Sequence, residues 1–189
     1  LVTAAAAWPV AYFAAKYAFR LQVDREKRKE DDETVSNANK AILRLIEARR
    51  NILAYAKRLE SPHVTSRNQH FAVVPAASPI DPLVLNLDSL VFILGSKDPN
   101  ILFALSSAAA EINSTIEFIN NRDQMHAEFQ RRTGDQFFGT DEVIDIRAVE
   151  AAAGPFLTRV LRQMTADMIE HIPDAVKASE ESIERLRSV

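Results

Sequence analysis

The chain has 189 residues, a net charge of −3, no cysteine, four glycines and 47% hydrophobic residues. That composition excludes disulfide scaffolds and thiolate metal sites, gives no overall attraction to nucleic acid, and favours helix over sheet. After the first 30 residues roughly 160 remain, the size of one domain with a substantial core.

Segment 1–21 (LVTAAAAWPVAYFAAKYAFRL) is apolar through Ala15 and is followed by Arg20, Arg25, Lys27, Arg28 and Lys29. A bilayer core takes about 20 apolar residues as a helix, more than this run supplies. A transmembrane helix ending near Phe19 therefore requires residues upstream of Leu1, which is not a Met, and requires Lys16 and Arg20 to snorkel towards the headgroups. A cleaved secretory signal carries its positive charge before the apolar core, whereas here the charge comes after it. The remaining alternative is an Ala-rich helix lying in the membrane interface or buried in a bundle. The basic flank places everything after the anchor in the cytoplasm, as in a protein of a bacterial inner (plasma) membrane.

Two stripes run along this segment. Ala4, Ala7, Ala11, Ala14 and Ala18 are spaced by three and four and form a face of small side chains, through which helices pair closely in lipid. A homo-oligomer assembled through Ala7, Ala11, Ala14 and Ala18 is the expectation. Trp8, Tyr12, Lys16 and Arg20 follow in steps of four, a stripe suited to lipid headgroups or to lining a pore.

Residues 22–36 form a charged stalk, basic first and acidic last, that reads as a solvated helix continuing from the anchor. Residues 37–59 repeat apolar side chains at Ile42, Leu45, Ile46, Ile52, Leu53, Ala56 and Leu59, the pattern of a helix with one buried face. Between residues 61 and 82 four prolines interrupt any helical period, which predicts a long loop. His63 and His70 fall in that loop with no ligand-spaced partner and read as surface histidines.

Residues 83–94 (LVLNLDSLVFIL) are short and strongly apolar; the helix-rich context favours helix over strand. Asp98 and Pro99 read as a cap and a first-turn proline opening a helix to about Arg132, with a buried stripe of Leu102, Leu105, Ala109, Ile112, Ile116 and Ile119. A loop over 133–140 ends it. Thr140 or Asp141 then caps a helical stretch broken at Gly154 and Pro155 and again before Pro173, so that the last helix covers 173–187. The fold is all-α: a transmembrane helix over 1–21, a stalk over 22–36, and a cytosolic bundle of about four to five helices over 37–189.

One constellation has catalytic potential. Ile112 and Ile119 are followed at the same interval by His126, with Arg122 one turn earlier. A guanidinium and an imidazole on neighbouring turns can grip a phosphate and move a proton, as RNA cleavage requires. The same two groups can equally serve structure by pairing with carboxylates such as Glu111 or Asp123, or with a neighbouring helix. No glycine-rich phosphate loop, serine elbow or two-histidine zinc helix accompanies them, so no cofactor or metal is expected.

The run Arg122, Asp123, His126 within a helical bundle resembles the Arg-polar-His signature of HEPN domains, with a shorter spacer than that signature carries. An N-terminal span joined to a small helical bundle is similar to the membrane-pore accessory proteins of type VI CRISPR systems. The helix from Asp98, Pro99 and Asn100 to His126 also resembles uncharacterised bacterial single-span proteins. These resemblances imply two readings. In the first, a membrane-anchored module self-assembles through span and bundle, forming a pore or acting in antiviral defence. In the second, a membrane-tethered HEPN-like ribonuclease or RNA-binding domain uses Arg122 and His126. Membrane lipid, further copies of the chain, and an RNA or protein effector are the partners implied.

Overall fold

The structure, a computed structural model, describes residues 2–96, 98–134 and 145–188, with the backbone alone for residues 2–11. The helices are α1 (Val2–Leu59), α2 (Gln69–Ala72), a 3-10 helix (Leu87–Gly95), α3 (Ile101–Thr133), α4 (Ile146–Ala153) and α5 (Pro155–Arg187). Among the described residues there is no strand, as an all-α fold requires.

Three buried stripes organise the bundle, each alternating in steps of three and four. In α1 it is Ala41, Leu45, Ala48, Ile52 and Tyr55; in α3 it runs Ile101, Leu105, Ala108, Ile112, Thr115, Ile119, Arg122, His126, Phe129 and Thr133. In α5 it runs Thr158, Leu161, Thr165, Met168, Ile172, Ala175, Ser179, Ser182 and Leu186. Such a repeat keeps one seam facing the neighbouring helices, as in coiled coils. The small residues on α5 permit a close approach, and α3 and α5 share the most extensive helix contact. The buried hydroxyls of Thr115, Thr133 and Thr165 each donate to the carbonyl four residues back, so they enter the core satisfied.

α1 reaches α5 directly, but it meets α3 chiefly through what fills the groove between them. The filling is the segment after α2 together with the 3-10 helix, which contribute Val73, Leu83, Leu90 and Ile93 to the core. Its backbone is held by amide side chains of α3. Asn113 accepts from Leu83 N–H (2.6 Å) and donates to Leu83 C=O (3.0 Å); Asn120 does the same with Ile80, at 2.9 Å in each direction. The pitch explains the register. Seven helical residues rise about 10 Å, and three residues of extended chain cover about the same distance. Asn113 and Asn120 therefore meet Leu83 and Ile80 with each amide pairing to one residue's N–H and C=O.

The structure corrects several sequence expectations. Residues 83–94 are not one α-helix: the chain is extended to Asn86, whose side chain caps the 3-10 helix at Ser89 N–H. Helix α3 starts at Ile101, because Asp98 accepts from Asn100 N–H and closes a turn ahead of the helix. Its stripe uses Ile101 and Ala108, with Leu102 and Ala109 half-buried beside them; on α1, Ile46 is exposed and Tyr55 takes the core position.

No break precedes Pro173, which sits inside α5. An internal proline costs a helix about 3 kcal/mol. Pro173 itself is exposed while Met168, Ile172 and Ala175 around it are buried, so packing against the bundle offsets that loss. The expected break at Gly154 is present: its φ of 88° ends α4, and Pro155 opens α5. Asp145 caps α4; Thr140 and Asp141 lie outside the described residues.

No helix of the described residues is long and apolar enough to cross a membrane. The expected span and stalk are instead the first part of one continuous 58-residue helix that reaches Leu59.

Replacing Asn120 by Ala removes both bonds to Ile80 and leaves a half-buried backbone pair without partners. Urea denaturation is expected to show a loss of about 1–3 kcal/mol. A change under about 0.5 kcal/mol, within the range of ordinary surface substitutions, contradicts the amide ladder.

Candidate functional site

Arg122 and His126 occupy core positions of the α3 stripe, with residue exposures of 0% and 1%. A buried guanidinium is costly without compensation. Arg122 Nη1 donates to Asp123 Oδ1 (3.1 Å) and to the Tyr55 hydroxyl (3.2 Å), and Nη2 donates to the carbonyl of His70 (3.0 Å). Asp123 is the hub. Its Oδ1 also accepts from Tyr55 Oη, and its Oδ2 accepts from Ala76 N–H at 2.7 Å. Burial pushes the Tyr55 phenol pKa up, against the opposing pull of Arg122, so the hydroxyl stays protonated and donates.

His126 Nε2 lies 2.8 Å from the carbonyl of Phe71. A carbonyl only accepts, so Nε2 carries the proton. Burial and then the Arg122 charge lower the pKa of His126 from 6.5 to about 4, so the ring is neutral. Arg122 and His126 thus grip two consecutive carbonyls of α2 and fix this short helix over α3. Glu111, the other carboxylate considered for them, instead faces His171 of α5 at 3.3 Å. Both groups face the interior. The phosphate-gripping geometry implied by the HEPN resemblance therefore has no surface access at Arg122 and His126.

α2 in turn presents two rings. Phe71 stacks on Phe129 (6.0 Å between centroids), in a second small core with Val149, Ala153, Leu157 and Leu161. His70, read from the sequence as a surface residue, is buried, with a side chain 3% exposed; His63 is exposed. His70 Nε2 lies 3.2 Å from Glu150 Oε1, but the direction is not that of a hydrogen bond, and this buried nitrogen has no hydrogen-bond partner. Glu150 also pairs with Arg162 of α5. Burial, followed by the Arg162 charge, lowers the pKa of His70, and Glu150 opposes the shift.

His70, Glu150 and Arg162 line a polar cleft of about 1000 Å³ together with Arg67, Gln69 and Arg147. Sequence reasoning missed this site. Its signal lay in the α3 stripe: two polar residues at regular core positions require polar atoms laid over them, and the adjacent loop was the available source. Among the described residues no cluster of His, Asp and Glu is placed to hold a metal ion.

Of the four expected assembly residues, Ala14 and Ala18 are exposed on α1, as are Tyr12, Lys16 and Arg20 of the other stripe. The side chains of Ala7, Trp8 and Ala11 lie outside the described residues. No protein-family model, curated protein or solved structure matches the chain.

The His126 shift makes stability depend on pH. The unfolded chain takes up a proton near 6.5 and the native ring does so only near 4, so stability is full above the upper value and declines as pH falls through that window. The decline amounts to about 3 kcal/mol. Denaturation of wild type and His126→Gln across the window is expected to show a steeper loss in wild type; parallel curves contradict the buried neutral ring.

Proposed function

We propose that the chain is a membrane-anchored helical module, in which the N-terminal part of α1 enters the lipid and the rest of α1 carries the bundle away from the surface. The observation that supports this is exposure: every side chain from Tyr12 to Glu33 is exposed, including Tyr12, Phe13, Tyr17 and Phe19 at 60–67%. The first contact with the bundle comes near Asn37, whose amide donates to Ser89 C=O. From Tyr12 to Glu33 about 30 Å of helix thus projects without tertiary support. A lone helix in water has little stability without an apolar face to bury.

The tip is apolar around nearly its whole circumference, interrupted by Lys16 and Arg20. A helix apolar all round fits immersion better than a narrow helix-pairing seam does. Lys16 and Arg20 snorkel to the headgroups, and the charged residues 22–33 stand in water beyond them. On the membrane, copies meet along the alanine face that includes Ala14 and Ala18, which admits close packing.

Vesicle flotation tests this reading. The full chain is expected to float with vesicles after a high-salt wash and to crosslink there into oligomers. A chain lacking residues 2–21 is expected to stay at the bottom with its bundle folded. Flotation of the truncated chain, or loss of the full chain on washing, contradicts the proposal.

A further inference from the structure

We propose that the cleft between α2, α4 and α5 binds a phosphate-bearing small molecule of about nucleotide size, held by Arg67, Arg147 and Arg162 around His70. The cleft measures about 1000 Å³, ample for such a ligand. Arginines from three separate segments line it, Arg67 and Arg147 at exposed positions and Arg162 paired with Glu150, and guanidinium forks match the oxygens of a phosphate. The two acidic groups on its wall are already engaged. Asp145 accepts from Arg147 N–H as the α4 cap, and Glu150 is paired with Arg162.

The second observation is His70. Its side chain is 3% exposed, it lines the cleft, and its Nε2 lacks a hydrogen-bond partner. A buried unpaired ring nitrogen is a penalty to the free protein that a ligand oxygen can relieve. The backbone that carries the ring is fixed, because Arg122 holds the His70 carbonyl and His126 the next one, and the buried ring packs edge-on against Phe71 at 4.9 Å.

The charged and titratable groups facing His70 are Glu150 on α4, Arg162 on α5, and Arg122 and His126 on α3. Burial and Arg162 push the pKa of His70 down, and Glu150 opposes them. An anion beside the ring opposes that shift, so binding is linked to proton uptake and strengthens as pH falls.

The position in the fold points to a soluble ligand. The α1 stripe runs from Ala41 to Tyr55, and Tyr55 bonds Arg122, the residue that holds α2. The cleft therefore lies at the end of the bundle opposite the projecting part of α1, out of reach of lipid headgroups at the helix tip.

The test is calorimetric titration of the full chain with inorganic pyrophosphate, adenosine 5′-monophosphate and glycerol 3-phosphate, the last as a lipid-headgroup probe. Alongside it, NMR follows the His70 ring. Saturable binding of pyrophosphate or the mononucleotide is expected, with a shift of the His70 resonances and tighter binding at lower pH. Arg67→Gln and Arg147→Gln, both at exposed positions, are each expected to weaken it roughly tenfold without changing the fold. The inference is overturned by the absence of saturation at millimolar ligand, by unchanged affinity in both arginine variants, by binding of glycerol 3-phosphate alone, or by binding of an RNA oligonucleotide where the small phosphates do not bind.

Discussion

Arg122 is the constraint on which the rest of the bundle depends. It occupies a core position in an otherwise regular stripe, and a guanidinium there is tolerated only when its charge and its terminal nitrogens are met inside the protein, as they are here although Nε has no partner. Asp123 supplies the charge, Tyr55 links the pair to α1, and the His70 carbonyl ties in α2. One buried cation thereby joins three segments that are distant in sequence. Asp123 extends the network to Ala76, where the amide-held stretch leading to Ile80 and Leu83 begins. The stretch from Val73 to Leu83 is thus fastened along the groove between α1 and α3 with Val73 and Leu83 in the core, which explains how two helices with little direct contact are held together.

The long helices were legible because their periodicity is strong. Leu45, Ile52, Leu105, Ile112, Ile116 and Ile119 were read as buried and are buried, and the end of α3 fell within a residue of expectation. What was not legible depended on tertiary partners. Residues 83–94 carry the apolarity of a buried helix, but Asn113 fixes Leu83 in an extended conformation and the helix begins later, as a 3-10 turn. Pro173 has the local signature of a break, yet the packing of its neighbours outweighs it. The pairing of Arg122 with His126 was visible from spacing alone. Which way it faced was not, because exposure depends on α2 lying over it.

The same clasp relates structure to chemistry. Arg122 and His126 act on α2 through its backbone, and α2 holds His70 against Glu150. Arg122 and His126 therefore act inside the bundle on the backbone of α2, while the groups that meet solvent come from the loop before α2, from α4 and from the start of α5. The projecting part of α1 is independent of this assembly. Its ion pair between Lys29 and Glu33, at 3.8 Å, is exposed and adds little. Whatever covers its apolar tip therefore leaves the bundle core unchanged.

Amide hydrogen exchange of the intact chain tests the central claim most directly. If the half-buried side chains Asn113, Asn120 and Asp123 of α3 fasten this segment to the core, the amides of Ala76, Ile80 and Leu83 open only with the bundle and show protection close to that of the α3 amides near Ile112 and Ile119. Exchange of those three amides at the rate of an exposed loop, beside a protected α3, contradicts the account.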